Sequence, residues 1–478
     1  MNCATTGLRP FTASTTQPWT RALAIHLYRR MAFGAGTETI QAALASSPTD
    51  LVRNAVTEAV NLPLPPAPPF AGRTQAQYGL ALLESTLEKD GLAREWVIQL
   101  QTGGLRERMA FFWHNHFVTR FDAYESSSYT YQYQRLLRVH AVGNFREFVR
   151  EIGLTPAMLV FLNGSENVAA SPNENYAREL YELFTLGDGN GYTQADIVET
   201  ARALTGYTNV TEAWGPIEFD PATHDNGQKT IFGRTGNWGY ADVIRILFEE
   251  RGRQIATFIA GKIYRNFVNP TPAPTVIADL AQVLLDNDWE LAPLLENLFN
   301  SEHFYDAANI STIIQGPIEH TLITYNELGV QLNGLSVFSV WAGAGNQGQV
   351  VFSPVDVAGW PGNRSWINTT SLAERWTSIE ATLGSHLLFG FAVLGETARN
   401  ATDEAEDVAV ICRDMVNYLL PKGLQFEQDF AEALVNFKGD TPPEYFENGI
   451  WSIDYWTLPI QFQNLLRFLN RLPEFQLK

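Results

Sequence analysis

Apolar residues recur with helical spacing along nearly the whole chain, and the pattern is plainest from Ser171 to Gly206, SPNENYARELYELFTLGDGNGYTQADIVETARALTG. Ala177, Leu180, Tyr181 and Phe184 fall at i, i+3, i+4 and i+7, and Gly187 stops the run. Ser171 with Glu174 has the spacing of a capping box, with Pro172 at the first helical position. Thr193 with Asp196 repeats that spacing, Ile197, Ala201 and Leu204 form a second stripe, and Gly206 supplies a left-handed stop. The stretch therefore predicts a helical hairpin.

The same period predicts helices from Thr20 through ALAIHLYRRM, through LRERMAFFWHNHF, and through ADVIRILFEE and RGRQIATFIAGKIYRNFV. The segment LPLPPAPPF at 62–70 reads as a stiff surface strap. PIEFDPATH and QKTIFGRTGNWGY read as two extended arms around a polar turn, which predicts a minor β-hairpin near 217–233. Residues 330–371 are rich in Gly, Asn and aromatics and show little periodicity, so they read as an irregular lid-like segment, after which Ser371 with Glu374 opens another helix. No strand–helix alternation appears, so no parallel sheet is expected. The fold expected is mainly α: an extended lead-in over 1–19, then one large multi-helix globular domain over 20–478 carrying that small hairpin.

Composition changes this picture in two ways. The net charge of −19 argues against a nucleic-acid partner, whose phosphates call for clustered Lys and Arg. Only six of the 33 basic residues are Lys, and Arg suits fixed ion pairs better than a loosely solvated basic face. Cys3 and Cys412 lie far apart and imply neither a disulfide framework nor a thiolate metal site. No apolar run is long enough to span a bilayer, and the first 20 residues show neither the basic nor the apolar part of a secretory signal.

Hydrolase and nucleotide signatures are missing: there is no G-x-S-x-G, H-E-x-x-H or G-x-x-x-x-G-K, and the G-x-G-x-x-G of Gly343, Gly345 and Gly348 lacks a strand–helix frame. Candidate chemistry lies instead in three places. His114 and His116 in WHNHF can share an ion only if the helix ends between them; otherwise each caps carbonyls at a helix C-terminus. Glu179 and Glu182 point to one side of their helix, although Glu174, Arg178 and Glu182 also form an i, i+4, i+8 ion-pair ladder that leaves Glu179 unexplained. His224 and Lys229 flank a turn whose geometry needs Asp225, Asn226 and Gly227 but neither of them. The expectation is a metal site of His114, Glu179 and His224, extended by His116 and Glu182, for zinc, manganese or iron, with Asp225, Lys229 and Arg178 as catalytic groups. Trp360, Arg364, Trp366 and Asn368 form a candidate ligand-binding set, to be weighed against a lid packed on the core.

Several motifs carry a resemblance in a fixed order: HLYRRMAFGAG, RERMAFFWHNHFVT, RELYELFTLG with GYTQADIVETARALTG, FDPATHDNGQKTIFG, FIAGKIYRNFV, VVFSPVDVAGWPGNRSWINTTSLAER and RLPEFQLK. Together they resemble the bacterial family catalogued as domain of unknown function 1800. That resemblance implies a mostly helical protein, often exported to the periplasm or cell surface, with genes beside those of a sulfatase-like or alkaline-phosphatase-like family. It supplies no residue roles. Two functions remain open at this point: a metal-assisted enzyme, hydrolytic or oxidative, acting on an envelope or extracellular substrate, and a non-catalytic envelope protein that binds a glycan or a protein partner.

Overall fold

Helix caps and apolar stripes set most of the architecture. The computed structural model describes residues 6–385 and 390–478; Cys3 and the first five residues of the expected lead-in lie outside them. Helix α1, Arg21–Met31, starts where Thr20 turns its side chain back to the Leu23 amide. Seven more helices position the features discussed below: α2 (Gly104–His114), α3 (Asn175–Glu179, continued by a π-helix over Leu180–Thr185), α4 (Gln194–Ala203), α5 (Tyr240–Phe267), α6 (Pro317–Glu327), α7 (Gly334–Asn346) and α8 (Thr369–Ser385). Two small antiparallel sheets are the only ones among the described residues: β1 (Tyr207–Val210) with β2 (Ile217–Phe219), and β3 (Lys229–Ile231) with β4 (Arg234–Gly236). The chain is mainly α, and one continuous hydrophobic core runs from Phe11 to Phe475.

The helical hairpin forms as expected at its second helix. Thr193 and Asp196 make the reciprocal cap of α4, and Gly187 and Gly206 both take positive φ. Its first helix differs. Ser171 pairs with Val168 in a bridge, and the helix begins only at Asn175, whose amide donates to the Asn173 side chain. Asn173 is held in turn by Asn167, so a relay of asparagine turns replaces the Ser171–Glu174 box.

Three other expectations are corrected. The arms around 217–233 do not pair with each other; each joins a neighbour outside that span, giving two hairpins. Within 330–371 lies the helix α7, capped by Asn333, because small Gly and Ala residues hide a helical stripe from a pattern search. The cap of α8 sits three residues early: Asn368 accepts from the amides of Thr370 and Ser371, and the Ser371 hydroxyl accepts from the Asn368 amide. The proline strap does form, and the Arg106 guanidinium pins it by donating to the Leu62 and Pro63 carbonyls at 2.6 and 2.9 Å.

Candidate functional site

A cleft of about 520 Å³ opens where α2, α5, the start of α6, the loop 358–366 and Lys478 meet. Its size suits a small-molecule ligand. Phe111, Phe112, Phe258, Trp360 and Trp366 form apolar walls, while Asn115, Asn266, Gln349 and Asn363 offer amides. Its ionisable side chains are lopsided: Arg108, Lys262, Arg265 and Lys478 face one carboxylate, Glu319. Both Arg108 and Lys478 pair with that carboxylate. Burial alone would raise the Glu319 pKa, but Arg108 and Lys478 hold it well below the usual range.

Arg108 is 2 % exposed. Its guanidinium lies over the rings of Phe33 and Phe267 at 4.8 and 5.5 Å, and neither its Nε nor its Nη2 makes a hydrogen bond. Arg265, one turn beyond Lys262 on α5, is exposed and makes no ion pair among the described residues. Behind the cleft, Arg30 donates to the main-chain oxygens of Asn309 and Lys478 but leaves Nε and Nη1 unpartnered, and burial lowers its pKa to about 9.

Lys262 is held by the end of the π-helix. That helix stops at Thr185, so the carbonyls of its last turn have no partner further along it and are available to side chains. The Phe184 carbonyl accepts from His116 Nε2 at 3.1 Å, and the Leu183 carbonyl lies 3.5 Å from Lys262 Nζ. With Nε2 donating, His116 Nδ1 accepts from Lys262 Nζ at 3.1 Å. Burial, Lys262 and the lack of a carboxylate keep this histidine neutral, its pKa well below the ordinary value. Lys262 is lowered to about 8, first by burial and then by Arg265. Gly187 closes the π-helix at φ +93°, against the Phe258 ring over which Lys262 passes. On the opposite wall, Gly359 at φ +88° lets the loop approach Asn115 so closely that a Cβ would stand 2.4 Å from Oδ1. Asn115 clamps Trp360 there, accepting its amide at 2.6 Å and donating to its carbonyl at 3.2 Å.

The family model described as a protein of unknown function, DUF1800, matches residues 26–477. The chain belongs to that family. No curated protein and no solved structure matches it. In this DUF1800 chain four of the motifs that carried the resemblance contribute to the cleft lining, through Arg108, through Lys262 and Arg265, through Trp360 and Trp366, and through Lys478, while HLYRRMAFGAG places Arg30 behind it and RELYELFTLG contains the π-helix.

The expected metal shell does not assemble. Among the described residues, no group of three or more His, Cys, Asp and Glu is placed to hold a metal ion. His114 is fully buried between Trp96, Phe352 and Trp360. Its Nε2 accepts from the Phe352 amide and its Nδ1 donates to the Tyr133 hydroxyl, so both nitrogens are spent on packing. Burial lowers its pKa to about 3, which also removes the expected role as a charged cap. His116 is committed to Phe184 and Lys262, as above. His224 donates from Nδ1 to the Thr205 carbonyl at 2.9 Å, beside Phe219. Glu182 pairs with Arg178, and Glu179 is half-buried with no hydrogen bond or ion pair among the described residues; burial and Glu182 raise its pKa.

The groups expected to be catalytic in this DUF1800 chain are engaged in ion pairs and hydrogen bonds outside the cleft. Arg178 bridges Glu174 and Glu182. Asp225 receives Arg202 in a two-pronged contact. Lys229, 1 % exposed, donates to the carbonyls of Asp225 and Trp238 and to the Asn237 side chain, tying β3 to the next turn. Of the expected ligand set, Trp360 and Trp366 line the cleft, Asn368 caps α8, and Arg364 is exposed outside the lining. Sequence reading missed Arg108, Lys262, Arg265 and Lys478. The signal was available for Lys262: a lysine inside the apolar stripe of FIAGKIYRNFV, in a chain with six lysines, has no carboxylate within a helical turn.

Proposed function

We propose that the protein binds an anionic small molecule in this cleft, with an acidic saccharide as the ligand class. The observation that carries the reading is the charge imbalance of the lining, four cationic side chains against the single carboxylate of Glu319. An anion would balance Lys262 and Arg265, which have no carboxylate partner among the described residues, beside the buried guanidinium of Arg108. Ring-bearing walls at Trp360 and Trp366 suit the flat face of a sugar, and the surrounding amides suit its hydroxyls. The acidic surface of the whole molecule would repel such a ligand, so affinity has to come from the local field of the cleft.

Calorimetric titration with a short uronic-acid oligosaccharide and with its neutral counterpart tests this reading. The acidic sugar is expected to bind and the neutral one not, with Arg108→Gln abolishing binding in protein that still melts cooperatively. Equal binding of both sugars, or none of either, overturns the proposal. Zinc, manganese and iron belong in the same titration. The metal-assisted reading required a shell of His114, Glu179 and His224, and the packing and hydrogen bonds of His114 oppose it.

A further inference from the structure

We infer that Lys262 is a nucleophilic amine that condenses with a carbonyl compound carrying an acidic group, such as a 2-oxo acid or an acidic aldehyde. The inference rests on the anionic-ligand reading of the cleft and adds a covalent step to it.

The geometry has three parts. Lys262 Nζ lies on the cleft wall, its partners are the neutral His116 Nδ1 and the Leu183 carbonyl, and neither brings a negative charge. The nearest charge from its own helix is Arg265, of the same sign, and the one carboxylate in the cleft is already shared by Arg108 and Lys478. A desolvated amine beside a second cation is the setting in which lysine becomes a nucleophile. The lowered pKa agrees: with a value of about 8, about a tenth of the amine is unprotonated at pH 7, against far less than a hundredth for an ordinary lysine. Arg265 and Arg108 can hold a carboxylate next to the reacting carbonyl. The chain orients its nucleophile through the π-helix, since Phe184 fixes the His116 tautomer and His116 fixes Lys262.

The step balances without an oxidant or reductant. The Nζ lone pair forms a bond to the carbonyl carbon, and the carbonyl π pair moves to oxygen. That oxygen takes a proton shed by nitrogen, giving a carbinolamine. Loss of the hydroxyl with a second proton from nitrogen releases one water and leaves the imine.

The test uses the full chain with glyoxylate and cyanoborohydride, which reduces an imine to a stable secondary amine, followed by peptide mapping. Glycolaldehyde serves as the uncharged comparison. The expected result is preferential modification of Lys262 by glyoxylate over the other five lysines and the chain amino terminus. Lys262→Arg should lose this adduct, and Arg265→Gln should slow it, because removing the neighbouring cation raises the Lys262 pKa. Modification spread evenly over the amines, or absent from Lys262, overturns the inference. Phosphate binding measured on the same samples separates the two readings. Binding without an adduct removes the covalent step and leaves the cleft's ligand class standing, whereas an adduct without phosphate binding does the reverse.

Discussion

The hairpin face and the cleft are both rich in arginine, yet they settle their charge in opposite ways. Along the hairpin and the strands beside it, Arg178 lies between Glu174 and Glu182, Arg202 between Glu199 and Asp225, and Arg234 between Glu249 and Glu250. Each cation there is flanked by two carboxylates and is explained by its neighbours. In the cleft four cationic side chains share one carboxylate, and Glu319 pairs with Arg108 and Lys478, so Lys262 and Arg265 are left without a carboxylate partner among the described residues. An acidic protein that builds these paired ladders on its surface has also kept the positive charge of Arg108 and Lys262 away from water, at a cost in desolvation. The comparison teaches that a conspicuous charge cluster in sequence can be self-sufficient, while function is sought where the matching fails.

Four changes sharpen or break that contrast. The largest effect is expected from Arg29→Met. Its guanidinium holds Glu327 through two bonds of 2.6 and 2.7 Å in a fully buried site, and breaking such a pair costs about 3–5 kcal/mol. Urea unfolding measures it, and a loss near zero would mean that buried pairing here is ornamental. Trp360→Ala comes next. The ring is 4 % exposed and packs on Phe111 and His114, so truncation should cost about 3 kcal/mol or more and weaken ligand binding together with stability. Retained stability with lost binding would mark Trp360 as a mobile lid.

The third change is a matter of pH. Lys262 has a folded pKa of about 8 against about 10.4 unfolded, so between these values the unfolded chain binds more protons and stability rises with pH. Below about 8 both states are protonated and the burial penalty is fully present. The difference between wild type and Lys262→Met in chemical denaturation should therefore shift across that window in anion-poor buffer. Saturating phosphate, which favours the charged amine, should flatten it. A difference independent of pH would contradict the lowered pKa. The smallest effect is expected from Arg178→Ala, whose exposed i,i+4 pairs should contribute less than about 1 kcal/mol. A larger loss, measured by thermal unfolding, would mean that the ladder holds more than itself.

The helical architecture was legible because its signals are local: Thr193 with Asp196, the stripe from Ala177 to Phe184, and the glycines after them act within a few residues. The π-helix was not, since a stripe at i, i+3, i+4 and i+7 reads the same whether the backbone bonds run to the fourth or the fifth residue. Helix α7 does carry a stripe, Val337, Val340, Trp341 and Ala344, but the Gly and Ser residues set among them obscured it. At the site, His114, Glu179 and His224 attracted attention as leftovers of local rules. Whether a side chain is satisfied, however, depends on distant partners, and the amide of Phe352 and the hydroxyl of Tyr133 answer for His114. Trp360 and Trp366 were found because Trp beside Gly and Pro marks either a lid or a ligand wall, and here they both pack and line the cleft. Arg108, the pair Lys262 and Arg265, and Lys478 come from three separate parts of the chain, so only the fold reveals that together they outnumber Glu319.

The central claim is that the unmatched charge of the cleft binds an anion, and melting temperature against phosphate concentration at pH 7, with potassium chloride at matched ionic strength, tests it most directly. Wild type and the hairpin variant Arg178→Gln are expected to rise together with phosphate beyond the chloride curve, while Lys262→Met and Arg265→Gln rise much less. A wild-type phosphate curve that coincides with chloride, or cleft variants that respond as fully as wild type, would contradict the account.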